Sequence, residues 1–250
     1  MKSLECINDI CKYQDKLVMN MALYAIADLH LSKSVDKPMD IFGENWKDHD
    51  EKIRSDWCKR VGPNDTVLIA GDISRAMHFR EAKADLKWIG ELPGRKILIK
   101  GNHDYWWKSI SKLRDAFNNI EFLQNNFFSY KDYAICGSRG WVCPNDKKFT
   151  QHDEKIYKRE VHRLKLSLEA AEKHNYKKKI VMLHYPPTND KFEPSQFTEL
   201  ITNYGVEVVV YGHLHGPEGF GAGIEGQHNG ISYHLVSCDF LDFKLLKIAE

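Results

Sequence analysis

Lys96-Ile97-Leu98-Ile99-Lys100-Gly101-Asn102-His103-Asp104 is a short apolar run closed by a glycine and followed at once by metal-type ligands. Four other stretches repeat the pattern. Ala22-Leu23-Tyr24-Ala25-Ile26-Ala27 precedes Asp28-Leu29-His30, and Thr66-Val67-Leu68-Ile69-Ala70 precedes Gly71-Asp72. Lys179-Ile180-Val181-Met182-Leu183 precedes His184, and Val206-Glu207-Val208-Val209-Val210-Tyr211 precedes Gly212-His213-Leu214-His215. Short continuous runs of this kind, bounded by glycine or turn residues, read as strands buried on both faces. Open α/β sheets place their sites in the crevice beyond the carboxyl ends of such strands. Five strands therefore deliver Asp, Asp, Asn, His and His to one edge.

Helical patterns separate these runs. Trp46, Ile53, Trp57 and Val61 step by threes and fours, and Gly62-Pro63 closes that pattern. Further helices are expected over Phe79–Gly90, Trp106–Phe117 and Asp153–His174. Strand–helix alternation up to residue 117 implies parallel strands with right-handed crossovers. Ile120 to Trp141 is less regular and suggests a hairpin joining a second sheet. Residues 216–230 read as a Gly-rich loop, Ile231–Cys238 as an alternating strand, and Phe243–Ile248 as a further edge strand. Residues 1–20 are expected to form an N-terminal extension, peripheral or disordered, ahead of one domain over residues 21–250.

The ligand-type residues run from Asp28 to His215 in a chain of 250, so a single site requires one large domain rather than two small ones. A net charge of +1 excludes binding to nucleic acid or membranes through bulk charge alone. The six cysteines contain no C-x-x-C pair and read as reduced intracellular thiols, mostly small buried hydrophobes. No stretch approaches the roughly 20 apolar residues of a membrane span, and Met1–Asn20 lacks the apolar core of a signal peptide. The cytoplasm is the expected compartment.

Asp28, His30, Asp72, Asn102, His184, His213 and His215 offer oxygen and imidazole but no thiolate. That set suits Mn²⁺, Zn²⁺ or Fe better than the all-oxygen cations Mg²⁺ and Ca²⁺. Seven ligands exceed one tetrahedral ion and fit two ions sharing a carboxylate. Two ions roughly 3.5–4 Å apart can hold a bridging hydroxide for in-line attack on phosphorus. His103, oriented by Asp104, is then placed to protonate a leaving alkoxide. Arg75 could fork a phosphate oxygen. Arg139 and Trp141, in the loop 137–149, are candidates for a substrate lid. Trp106 and Trp107 could stack a base or aryl group, but are read first as packing residues. The remaining histidines, such as His49 and His234, read as structural or surface groups.

As a set, these blocks resemble the signature motifs of the calcineurin-like metallophosphoesterases, over about residues 21–240. The resemblance implies a four-layer α/β/β/α sandwich with a dinuclear centre at the carboxyl ends of the strands. It also implies a first ion on Asp28, His30, Asp72 and His215, and a second on Asp72, Asn102, His184 and His213, with Asp72 bridging. His103 matches the family's leaving-group acid, with Asp104 as its partner. Gly71-Asp72-Ile73-Ser74-Arg75-Ala76 departs from the protein Ser/Thr phosphatase pattern and is more similar to compact bacterial phosphohydrolases. The expected activity is metal-dependent hydrolysis of a small phosphate ester. Alternatives are a nuclease or cyclic-nucleotide phosphodiesterase, with long polynucleotides disfavoured by the neutral charge, and a non-catalytic interaction module on the same fold. Oligomeric state is not legible.

Overall fold

The computed structural model describes residues 21–145 and 149–250; the expected extension over residues 1–20 and part of the loop 137–149 lie outside the described residues. In chain order the strands of the first half are β1 (Leu23–Ile26), β2 (Thr66–Ile69), β3 (Arg95–Leu98) and β4 (Glu121–Phe122). The hairpin β5 (Phe128–Tyr130) and β6 (Tyr133–Gly137) follows, then β7 (Lys178–Met182), β8 (Val206–Tyr211), β9 (Gly226–His228), β10 (Ile231–Leu235) and β11 (Leu246–Ala249). The helices are α1 (His49–Arg60), α2 (Phe79–Glu91), α3 (Ile110–Ala116), α4 (Gln151–Lys173), α5 (Gln196–Asn203) and the short α6 (Gly216–Phe220).

The strands form two sheets, ordered β11-β1-β2-β3-β4 and β5-β6-β7-β8-β10-β9. Pairs β1–β2, β2–β3, β3–β4, β6–β7, β7–β8 and β8–β10 are parallel, and the antiparallel strands β11, β5 and β9 lie at three of the four sheet edges. The period-2 alternation of strand side chains then sorts the core into layers. Leu23, Ala25, Leu68, Ile97, Ile135, Ile180, Met182 and Val210 meet between the two sheets. Tyr24, Ile26, Val67, Ile69 and Leu98 face the other way, onto Ile53 and Trp57 of α1 and Leu86 and Ile89 of α2. On the far side, Ala134, Val181, Val209 and Tyr211 pack on Leu164 and Leu168 of α4 and Phe197 and Ile201 of α5. The result is the expected helix–sheet–sheet–helix sandwich. Both faces of the central strands are covered, which is why those runs read as continuously apolar.

Local departures from the sequence reading have local causes. The third helix starts at Ile110, not Trp106, because Asp104–Lys108 is a tight turn with Trp107 N donating to Asp104 O (3.1 Å) and Lys108 N to Trp106 O (3.0 Å). Trp46 falls outside the helix beginning at His49; it closes the second of two 3₁₀ turns, Asp40–Phe42 and Glu44–Trp46. The segment read as a loop over 216–230 contains α6 and β9. α4 begins at a capping box, Thr150 with Asp153, each side chain accepting from the other residue's N–H. Cys58, Cys136, Cys143 and Cys238 are all free. No helix among the described residues is long and apolar enough to cross a membrane.

Candidate metal centre

The parallel register sets the site. Ile26 pairs with Ile69, and Ile69 with Leu98, so the residues just beyond β1, β2 and β3 reach the same edge. Met182 pairs with Val210, and Tyr211 with Leu235, which does the same for the second sheet. Four of the seven expected ligands adopt left-handed backbone: Asp28 (φ 60°), His30 (φ 43°), Asp72 (φ 50°) and His213 (φ 72°). Such conformations cost non-glycine residues about 1–3 kcal/mol and persist where surroundings over-determine them. Here the loops after β1 and β2 zip together. Asp28 N donates to Gly71 O (2.9 Å), His30 N to Asp72 O (2.9 Å) and Leu31 N to Ile73 O (3.0 Å). Two glycines permit the close packing. A Cβ on Gly101 would overlap the Asp72 carboxylate, and one on Gly212 would overlap that of Asp28.

The seven side chains converge. Asp28, His30 and His215 form one group and Asp28, Asp72 and His184 another, the ligand atoms of each group lying within 4.8 Å of one another. Asn102 Oδ1 sits 2.7 Å from His184 Nε2 and 3.0 Å from His213 Nδ1. Asp72 Oδ2 lies 3.8 Å from His30 Nε2 and 3.4 Å from His184 Nε2, so it faces both halves. Asp28 also belongs to both groups, whereas the sequence comparison gave it to one ion. The donor set fits cations on an observation of its own: Asp28 is fully buried, yet its Oδ1 has no hydrogen-bond partner. An orphaned carboxylate oxygen costs several kcal/mol unless something positive meets it. His30 Nε2 and His215 Nε2 approach to 3.3 Å, so the two rings aim ligand nitrogens at the same space.

Partners behind the ligands fix the imidazole tautomers. His184 Nδ1 lies 3.0 Å from Ala70 O, which turns Nε2 toward Asp72 and Asn102. His215 Nδ1 lies 3.0 Å from Asp239 Oδ1, which turns its Nε2 toward Asp28. This is the carboxylate–histidine arrangement that orients metal ligands. Burial alone would lower both imidazoles. The Asp72 and Asp28 carboxylates outweigh it at His184 and hold the group up to about 9; Asp239 and Asp28 hold His215 up to about 10. Burial wins at His30, down to about 4, and at His213, down to about 3, where the His184 charge adds to it. Despite its burial, Asp72 is held well below the carboxylate range by His184.

His103 donates its backbone N–H to Asp72 Oδ1 (2.8 Å), and its exposed ring stands 5.7 Å from that of His30. Asp104 does not orient it. Asp104 Oδ1 accepts from Ile73 N (2.9 Å), Ser74 N (3.2 Å) and Trp106 Nε1 (3.0 Å), and Oδ2 from Gly101 N (2.7 Å). Both oxygens are occupied in binding the β2 loop to the β3 loop, so Asp104 is a staple of the ligand loops. Trp106 and Trp107 are buried in the first core and present no stacking face.

A cavity of about 430 Å³ opens beside the ligands, lined on one side by His30, His103, His215 and Asp239 and reached by Arg75. Arg139 and Trp141, expected as a lid, do not line it. The Arg139 guanidinium is captured by the fully buried Glu160 of α4 (3.3 Å) and lies over the Trp141 ring (4.4 Å to its centroid). Its carbonyl instead accepts from His184 N (3.0 Å) and Tyr185 N (3.1 Å), so it supports the ligand strand.

Several functional neighbours escaped the sequence reading. Ser237 Oγ donates to Asp28 Oδ2 (2.8 Å), Tyr185 lies 3.9 Å ring to ring from His213, and Asp239 holds His215. Asp239 carried a usable signal. It follows the run Ile231–Cys238 just as the other ligands follow theirs, and β10 is parallel to β8.

Comparison with known proteins agrees with this geometry. The calcineurin-like phosphoesterase family model matches residues 21–217. The Gene 66 protein of Mycobacterium phage L5 is 38% identical over 78 residues, 31% of this chain and 37% of that protein. The Gene 66 protein of Mycobacterium phage D29 is 26% identical over 168 residues, 67% of this chain and 66% of that protein. The chain thus spans less than two thirds of either relative. The structure of phosphopantetheinyl hydrolase from Mycobacterium tuberculosis shares the fold, with a TM-score of 0.57 at 16% identity, over 91% of this chain and 95% of that one.

Proposed function

The chain belongs to the calcineurin-like phosphoesterase family, and from that premise we propose that residues 21–250 act as one cytoplasmic domain hydrolysing a small phosphate ester with two divalent ions. The observation that carries the reading is the convergence of seven ligand-type side chains from five strand ends around the orphaned Asp28 Oδ1, at the wall of a cavity. Asp28, His30, Asp72 and His215 would hold one ion, and Asp72, Asn102, His184 and His213 the other. The mixed oxygen and imidazole set favours Mn²⁺, Fe or Zn²⁺. When bound, such a pair supplies a water nucleophile at neutral pH and neutralises the phosphoryl oxygens.

The chain's own groups do the rest. Asp239 and Ala70 O hold His215 and His184 in the tautomers that point Nε2 inward. His103, exposed on the cavity wall and tied by its backbone to Asp72, is positioned to give its ring proton to the leaving oxygen. Arg75, on the same loop as Asp72, supplies a guanidinium at the cavity.

The test is a panel of aryl monoesters and bis-aryl diesters, assayed after chelation and after adding back Mn²⁺, Zn²⁺ or Fe²⁺, with elemental analysis. Turnover should vanish on chelation and return with metal. His103→Ala should retain the metals and lose about 10²–10⁴-fold in kcat, most with poor leaving groups. Undiminished turnover in the stripped protein, or stoichiometric metal with no turnover on any ester, would overturn the proposal. The monoester-to-diester ratio separates a phosphatase from a phosphodiesterase.

A further inference from the structure

The cavity has two chemically different linings. The polar lining is His30, His103, His215 and Asp239; Met39, Phe42, Trp46 and Pro217 are the apolar lining, and Asn45 and Arg75 also face the cavity. We propose that the apolar wall receives the leaving group of the ester, and that this group is apolar and at least the size of one aromatic ring. The proposal rests on the phosphoesterase reading and adds the substrate class.

Trp46 is the rigid wall. Its ring is buried, 6.1 Å from that of His30 and 5.7 Å from that of His215, with Phe243 (5.3 Å) and His49 (5.4 Å) packed against it. The His49 ring nitrogens lie 3.1 Å from Trp46 O and 3.0 Å from Leu29 O, and the N–H of one of them donates there, packing this wall against the ligand loop after β1.

Phe42 also lines the cavity. It is 63% exposed, and its 3₁₀ turn buries no residue, so the core gives no reason for a phenyl ring there. Its ring lies instead under the Arg75 guanidinium, 5.4 Å from centroid to carbon. Arg75 in turn donates to Met39 Sδ (2.8 Å) and belongs to the loop that carries Asp72. The apolar side of the cavity is thereby registered to the metal ligands through one side chain. A cation over an aromatic face is an attractive pair that leaves the other face of the ring free.

Chemistry and size select the occupant. Phenyl, thioether and proline surfaces offer no hydrogen bond, and an indole only its single N–H, so most hydroxyls of a polyol buried against them would go unpaired and be penalised. At about 430 Å³ the cavity lies at the small end of ligand pockets, and the phosphoryl group must take part of it. What remains is ample for an apolar group of at least one aromatic ring, since a cavity of about 150 Å³ already holds benzene.

The test uses non-hydrolysable phosphonates, titrated calorimetrically into the Mn²⁺-loaded full chain. Phenylphosphonate is expected to bind about 10- to 100-fold tighter than methylphosphonate or 2-hydroxyethylphosphonate. Phe42→Ser should erase most of that margin, whereas Phe42→Leu should restore part of it. Equal binding of the three phosphonates overturns the proposal, as does a Phe42→Ser variant that keeps the margin. The readout is independent of turnover. Failure to hydrolyse any ester counts against the phosphoesterase reading, and failure to prefer phenylphosphonate counts against the pocket.

Discussion

Replacing Asp239 isolates the contribution of a residue that touches no expected ion. Its two carboxylate oxygens have separate duties: Oδ1 holds His215 Nδ1 (3.0 Å), and Oδ2 accepts from Gly216 N (3.0 Å). Asp239→Asn can keep one of these bonds but loses the charge that helps raise the imidazole. Asp239→Ala loses both bonds and leaves the ring free to rotate away from Asp28. Loss of a partner that orients a metal ligand typically weakens metal binding about 10- to 100-fold, or roughly 1.4–2.7 kcal/mol. Asp239→Ala should fall at the upper end and Asp239→Asn at the lower. Competition between the stripped protein and a chromophoric chelator for Zn²⁺ measures this directly. Asp242→Asn is the control, because Asp242 is exposed, paired only with Lys244, and lies three residues along the same turn. The reasoning fails if Asp239→Ala binds both ions as tightly as the parent chain, or if the control weakens binding equally.

Other outcomes follow from the same geometry. Glu160→Ala leaves the largely buried Arg139 guanidinium without its counter-charge and should cost up to about 3 kcal/mol, the lower end for a buried pair. At this chain length that is a fall of up to roughly 6–12 °C in thermal midpoint, read by calorimetry; an unchanged midpoint would show the pair to be idle. Gly101→Ala should reduce bound metal in elemental analysis, because the new Cβ displaces the Asp72 carboxylate. Metal uptake should also depend on pH. In the metal-free protein His184 is raised to about 9 and His215 to about 10, so their charged forms stabilise the fold fully below pH 6.5, and that stability fades as pH rises through 9–10. Ions must displace those protons, so affinity should climb by up to about tenfold per pH unit per proton between pH 7 and 9, with proton release detectable in weak buffer. A flat affinity over that range would contradict it.

Most of the sandwich and the placement of the ligand blocks were legible because both follow from local chemistry. A strand covered on both faces must be apolar throughout, so Thr66–Ala70 or Lys179–Leu183 announces itself, and the first polar residue beyond it stands at the sheet edge. What was not legible depends on partners distant in sequence. Nothing around Arg139 reveals that Glu160, on α4, will claim its guanidinium. Nothing in Gly101–Asp104 shows that Asp104 will be consumed by the amides of Ile73 and Ser74. The cavity wall over residues 39–46 is built from 3₁₀ turns, whose short runs carry no periodicity to read.

The spread of the ligands along the chain has a consequence for how the protein comes into being. Asp28, His30, Asp72 and Asn102 leave the ribosome long before His213 and His215, and β11, which pairs with β1, emerges after every other strand. A nascent chain therefore has Asp28, His30 and Asp72 before His184 and His215, the imidazoles that complete the two groups. Neither group can bind an ion with its full ligand set until the second sheet has been made, so metal binding and the closure of the two sheets on one another are coupled.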